Sequence, residues 1–146
     1  MPSPPHKPLI IDIGAQTAAA PSSFAEKQRG NATWHTLLSA PGTASTSLTG
    51  GIATCPANGT LALHRHKQAE IYYILSGSGE VEVDGERRKV TKDNLVWIPG
   101  DAEHGVFCTG DHLRWLYFFP EDSFDNIVYR FTDEVKGMAG KIKSKL

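Results

Sequence analysis

Two histidines and a glutamate fall within seven residues, His64, His66 and Glu70, at the start of a run that otherwise has the pattern of two β-strands. Residues i and i+2 of a strand point to the same face, so His64 and His66 project together. A turn over residues 65–69, followed by a strand from Glu70, places the carboxylate beside the two imidazoles. Such a set binds Fe, Mn, Ni, Co, Cu or Zn. The alternative is a pair of exposed histidines next to a surface glutamate.

The strand that carries the histidines has small residues at positions of the same parity. Thr60 and Ala62 share the face of His64, whereas Leu61 and Leu63 take the opposite face. This pattern predicts room for a ligand on the histidine side.

Short strand-like runs alternate with turn signals such as SGSG, DGE and PGDAEH between residues 60 and 119. Many short strands at close spacing are typical of an all-β sandwich or barrel. A chain of 146 residues fits one domain. The other expected segments are a disordered stretch at 1–8, an edge strand or arm at 9–14, strands within 33–40 and 45–55, and a helical pattern at 131–146.

Charge and composition exclude several kinds of partner. A net charge of −1 argues against recognition of nucleic acid or an anionic membrane by bulk charge. No apolar run is long enough to span a bilayer, and no secretion signal is evident at the N-terminus. Without a sign of export, Cys55 and Cys108 are expected to be reduced thiols.

A further histidine follows a second strand-like run. Residues 95–98 have the pattern of a buried strand and lead into a Pro99-Gly100 turn, after which His104 opens a new strand. His104 is therefore a candidate fourth ligand.

With these residues the sequence resembles the cupin superfamily. The first motif of that family is a glycine, five residues, His-x-His, three or four residues, a glutamate, six residues and a glycine. Here Gly59 precedes His64 by four intervening residues, and Glu70 and Gly77 keep the family spacing.

The second cupin motif is a glycine, five residues, Pro-x-Gly-x-x-His, three residues and an asparagine. Pro99 and His104 keep their separation. Asp93 stands in place of the opening glycine, Asp101 in place of the turn glycine, and Cys108 in place of the asparagine.

The resemblance covers residues 45–120 and implies a double-stranded β-helix, the cupin or jelly-roll barrel. An arm with strands at 9–44 precedes it, and a short helical or flexible tail at 121–146 follows it. The resemblance also implies a homodimer, for which the run LIIDI at 9–13 offers an arm or a strand edge. It implies one divalent first-row transition metal held by His64, His66, Glu70 and His104.

Three histidines and a glutamate on a six-coordinate metal leave two positions for water, dioxygen or substrate. The resemblance therefore implies a metal-dependent enzyme acting on a small organic acid or enolisable metabolite. A dioxygenase is slightly favoured, and a non-oxidative lyase, decarboxylase or isomerase is the alternative. Because the fold does not fix the reaction, a non-catalytic cupin that binds a metal or small ligand, or a barrel without metal, also stays open.

Few side chains near the predicted site can move a proton or bind a substrate. Tyr72 shares the face of Glu70 and is the candidate general acid or base, with a core aromatic as the alternative. Tyr117, Cys108 and Arg114 are candidate substrate-binding residues. For Cys108 the alternative is a buried filler, and for Arg114 it is a surface ion pair.

The chain ends in Ser144, Lys145 and Leu146, a tripeptide that serves as a peroxisomal import address. In a eukaryotic host this predicts a peroxisomal location and an import receptor as partner, and otherwise a cytoplasmic location. The alternative is chance occurrence. An oxidative compartment is the reason for favouring the dioxygenase.

Overall fold

The computed structural model describes residues 7–135, and about half of the chain is in strands. The strands of the described range are β1 (Ser22–Ser23), β2 (Thr33–Leu38), β3 (Thr49–Pro56), β4 (Thr60–Arg65), β5 (Glu70–Val83), β6 (Glu86–Thr91), β7 (Leu95–Ile98), β8 (His104–Phe119) and β9 (Arg130–Phe131). The helical parts are α1 (Ile13–Gln16), 3-10 turns at Lys27–Arg29 and Phe124–Asn126, and residues 132–135. The predicted all-β barrel is confirmed.

The long strand β8 organises the barrel. Along one edge, β3 pairs with its C-terminal half and β4 with its N-terminal half. Along the other edge it pairs with β5, through two register shifts. The sheet extends from β3 through β2 to β1, and from β4 to β9, while β6 and β7 pair with β5. All these pairings are antiparallel, and the largest buried side chains, Trp115, Tyr72 and Phe119, lie on β8 and β5.

A bulge in β4 changes which residues share a face with the histidines. The pairing of β4 with β8 shifts register between Leu61 and His64. Leu61 is therefore 8% exposed and lines the same cavity as Glu70. Thr60 lines a groove on the outside of the barrel. The prediction that Thr60 shares the histidine face while Leu61 opposes it is wrong, because a bulge breaks strict alternation.

Two other local predictions are corrected. Leu95–Ile98 forms a strand, but it pairs only with β5, so Leu95 and Trp97 are each 67% exposed and only Ile98 is buried. The run at 9–14 is not an edge strand. The Asp12 carboxylate accepts a hydrogen bond from the Ala15 N–H at 3.1 Å and caps α1, which ends the extended run.

Two aspartates take the backbone conformation that glycine usually supplies in the second motif. Asp93 has φ of 69° and Asp101 has φ of 61°. Aspartate is one of the few residue types with a side chain that visit this left-handed region. The departures from the family motif are therefore compatible with its turns.

We expect Gly77→Ala to destabilise the fold more than Gly85→Ala. Both glycines have positive φ, 84° and 82°, so each substitution costs about 1–2 kcal/mol for the backbone. A Cβ at Gly77 would lie 1.9 Å from the His112 carbonyl oxygen, whereas nothing lies within 4 Å at Gly85. Crowding at Gly77 should lower the free energy of unfolding, measured in urea, by about 1–3 kcal/mol more than at Gly85. Equal losses for the two variants would contradict this packing.

Candidate metal centre

The three predicted histidines meet at one end of the barrel. His64 near the end of β4 is directly opposite His104 at the start of β8, and their ring centroids are 4.2 Å apart. His66 lies 4.8 Å from His104 by the same measure. One ligand atom from each of the three lies within 4.8 Å of the others. None of the three side chains is more than 1% exposed, so the structure brings them together in the interior.

Backbone carbonyls orient all three imidazoles in the same way. The Nδ1–H groups of His64, His66 and His104 donate to the carbonyl oxygens of Ala62 at 2.7 Å, Gln68 at 3.0 Å and Ala102 at 2.8 Å. Because a carbonyl only accepts, each Nδ1 carries the proton of its hydrogen bond, which leaves Nε2 as the ring nitrogen available to a metal. Such second contacts are typical of metal-ligating histidines.

Glu70, at the start of β5, lies against two of the three histidines and outside the group of three ligand atoms. Its Oε1 atom is 3.2 Å from Nε2 of both His66 and His104, and the residue is 4% exposed. Within the described chain, the buried Nε2 atom of His64 has no hydrogen-bond partner. Burial, and then the neighbouring His104, lower the pKa of His64 well below its ordinary value, so this imidazole is neutral.

This donor set fits a divalent transition metal. Neutral imidazole nitrogens beside a carboxylate are ligands for such ions, and a cation would satisfy the otherwise unpartnered His64 Nε2. Three of the four predicted ligands form the cluster, and the assignment of Glu70 as the fourth stays a prediction.

A cavity of about 30 Å³ adjoins Glu70. Its lining includes seven aromatic side chains, and Glu70 is the one charged residue among the residues that line it. Tyr72 and Tyr117, opposite each other on β5 and β8, both contribute. Burial, with Glu70 close by, raises the pKa of Tyr72 well above its ordinary value. Burial also raises the pKa of Tyr117 and outweighs the opposite effect of the Thr36 side chain near its hydroxyl.

Two predicted substrate-binding residues do not reach this cavity. Arg114 lies between the buried Leu113 and Trp115, so it faces outward from β8. Cys108 is buried, but its thiol donates to the Gly110 carbonyl at 3.3 Å and is absent from the cavity lining. Both residues lie outside the lining of this cavity, and their role in substrate binding stays a prediction.

The predicted tail supplies side chains that the sequence analysis missed. Phe124 and Tyr129 line the cavity, and Phe131 is buried on β9 against His64. Residues 121–135 are therefore partly built into the barrel rather than separate from it. The spacing of Tyr129 and Phe131, two apart in an extended run, was the available signal. Ser144, Lys145 and Leu146 lie outside the described residues.

At pH 8, both cysteines are expected to resist a thiol reagent in the folded protein. Burial raises the pKa of Cys55 to about 12, so its reactive thiolate is scarce at that pH. Cys108 is 5% exposed and equally shielded from reagent. We expect both thiols to react only after unfolding in guanidinium. Rapid reaction of either thiol in the native protein would contradict this packing.

Similarities to known proteins extend over most of the chain. The family model for the cupin domain matches residues 51–119. The dimethylsulfoniopropionate lyase DddW of Ruegeria pomeroyi is 37% identical over 128 residues, which cover 88% of this chain and 82% of that protein.

Two solved structures illustrate the shared fold. The polyketide cyclase RemF of Streptomyces resistomycificus has a TM-score of 0.67 at 19% identity, with 90% of this chain and 86% of that chain covered. The DMSP lyase DddQ of Ruegeria pomeroyi has a TM-score of 0.61 at 24% identity, with 71% and 52% covered. None of the helices in the part that the structure describes is long and apolar enough to cross a membrane.

Proposed function

The chain belongs to the cupin superfamily, and we propose that it is a metal-dependent lyase that eliminates a sulfide from a small sulfonium carboxylate such as dimethylsulfoniopropionate. The observation that carries this proposal is the 37% identity to a dimethylsulfoniopropionate lyase over most of both chains. The buried cluster of three histidines and Glu70 supports a metal dependence.

We propose that His64, His66, Glu70 and His104 hold one divalent first-row metal, whose identity stays open. When bound, that ion supplies a positive charge that stabilises charge on the substrate carboxylate and favours the phenolate form of Tyr72.

The proposed elimination needs no oxidant. A base takes a proton from the carbon next to the carboxylate, and the electron pair of that C–H bond forms a carbon–carbon double bond. The carbon–sulfur bond breaks, and its electron pair leaves with sulfur as neutral dimethyl sulfide. The products are dimethyl sulfide, acrylate and the proton that the base retains.

Tyr72 is the proposed base. Its ring lies 6.5 Å from that of His104 and borders the cavity beside Glu70, so its Oη can hold the proton taken from the substrate. Tyr117 lines the cavity opposite Tyr72 and is the proposed donor of a hydrogen bond to the substrate carboxylate.

The cavity lining supports a substrate with a positive group. Aromatic faces attract onium cations, and among the described residues no lysine or arginine lines the cavity. The aromatic side chains of the lining also exclude water from the proton transfer. A cavity of about 30 Å³ has room for little more than water, so entry of the substrate requires the lining to move.

The expectation of a dioxygenase rests on the Ser144-Lys145-Leu146 tail. The similarity to the lyase DddW favours an elimination over a dioxygenation. Peroxisomal import stays a prediction for a eukaryotic host. The homodimer also stays a prediction. Ile71 and Trp97 lie opposite each other on β5 and β7 and are exposed, a surface that a second copy would cover.

The test is to incubate the metal-loaded protein with dimethylsulfoniopropionate and to measure dimethyl sulfide in the headspace. We expect the protein to release dimethyl sulfide, to stop doing so after chelator treatment, and to resume when metal is added. Full activity of the chelator-treated, metal-free protein would overturn the metal dependence, and no release by the loaded protein would overturn this substrate.

A further inference from the structure

The segment at 129–134 runs alongside the end of β4 that carries His64. β9 pairs with β4, with Phe131 opposite His64 and Arg130 opposite Arg65. The Tyr129 ring lies 4.9 Å from the His64 ring and 5.5 Å from the His66 ring, and the Phe131 ring lies 5.4 Å from that of His64. Two aromatic rings from this segment therefore cover two of the three imidazoles.

Polar contacts from the barrel hold the segment in place. Arg29 donates to the two carboxylate oxygens of Glu134, from Nε at 2.8 Å and from Nη2 at 3.2 Å. The Arg29 guanidinium also lies 4.8 Å from the centroid of the Phe131 ring. Arg130 pairs with Asp101. Arg29 thus contacts the segment at Glu134, its last residue, and at the Phe131 ring that covers His64.

Of the elements whose aromatic rings cover the histidines, this segment is held by the fewest strand pairings. The other rings against the histidines, Phe119 beside His66 and Tyr72 beside His104, belong to the long strands β8 and β5. β9 has two residues and, within residues 7–135, pairs with β4 alone. Elements with few ladder hydrogen bonds open at lower free energy than central strands do.

We propose that residues 129–134 form a strap that closes the metal centre, and that Arg29 is the positioning residue that keeps it closed through Glu134 and Phe131. Lifting the strap uncovers His64 and His66. Because Tyr129 also lines the cavity, the same motion opens the cavity that the proposed function assigns to the substrate. The inference rests on the metal centre of the proposed function but not on the reaction.

The test follows loss of metal from the full-length protein. The chain is loaded with Co²⁺, mixed with excess chelator, and followed by the visible absorbance of bound cobalt. We expect Arg29→Ala to release cobalt about tenfold faster than the unchanged protein, the size expected for a bidentate ion pair with a cation–π contact. Glu134→Gln, which changes charge and little else, should act in the same direction.

The charge swap Arg29→Glu with Glu134→Arg restores the ion pair in reverse, without the Phe131 contact and with a carboxylate placed next to Glu26, so the release rate should return part of the way to that of the unchanged protein. Rescue by the swap separates a strap contact from general destabilisation. The matched control is Arg88→Ala, which breaks an exposed Arg88–Glu86 pair within β6 and should leave release unchanged.

Each outcome decides the matter. Cobalt bound by all variants and released at the same rate would overturn the strap while leaving the metal centre intact. Acceleration by Arg88→Ala to the same degree would also overturn it. A protein that takes up no cobalt would overturn the metal centre itself, and the strap with it. Should Arg29→Ala fail to fold, the Glu134→Gln rate decides.

Discussion

Replacing His64 and His66 together by alanine is expected to abolish stoichiometric metal binding. The two residues supply two of the four proposed ligands, and both Nε2 atoms face the cluster because each Nδ1 is bonded to a carbonyl. Loss of half of a ligand set removes most of the binding free energy of a metal site. Elemental analysis should fall from one metal per chain to less than about 0.1.

The matched control is His112→Ala. His112 is exposed and its Nε2 lies 2.9 Å from the Ser76 hydroxyl, outside the cluster. Its removal should leave metal content unchanged. Full metal content in the double variant would contradict the ligand assignment, provided that circular dichroism shows the barrel to be folded.

Tyr72→Phe is expected to reduce elimination at least about a hundredfold, the usual scale for losing a positioned acid–base group. The ring is 2% exposed and packs 5.6 Å from Trp115, and phenylalanine keeps that packing. Metal content and the urea midpoint should therefore change little. The rate of dimethyl sulfide release at saturating substrate is the measurement.

Tyr73→Phe is the matched control, because it removes the hydroxyl of the neighbouring residue on the opposite face of β5. That hydroxyl donates to the Asp93 carboxylate at 2.6 Å, away from the cavity. Activity should be unchanged. An unchanged rate in Tyr72→Phe would return Tyr72 to the role of a core aromatic.

The grouping of His64, His66 and Glu70 could be predicted because these residues lie close together in the sequence. The i, i+2 rule places His64 and His66 on one face, and the turn over 65–69 returns the chain at Glu70. The local pattern made His104 only a candidate, and the resemblance was needed to join it to Glu70, which is 34 positions away. Asp93 and Asp101, which depart from the motif, still adopt the turn conformation of glycine.

Long-range features could not be predicted in this way. The bulge between Leu61 and His64 depends on the partner strand β8, so parity alone gave the wrong face for Leu61. Cys108 shares the parity of His104 and is buried, but parity does not tell which cavity a buried side chain reaches, and Cys108 is outside this one. The pairing of Phe131 with His64 joins distant parts of the chain and has no counterpart in local periodicity.

The most direct test of the account is the mass balance of the reaction without oxygen. The metal-loaded protein is incubated anaerobically with dimethylsulfoniopropionate, and dimethyl sulfide and acrylate are quantified together. We predict equal amounts of the two products at the same rate as in air, because elimination consumes no oxidant. Turnover that requires oxygen, or products other than this pair, would contradict a lyase and restore the dioxygenase.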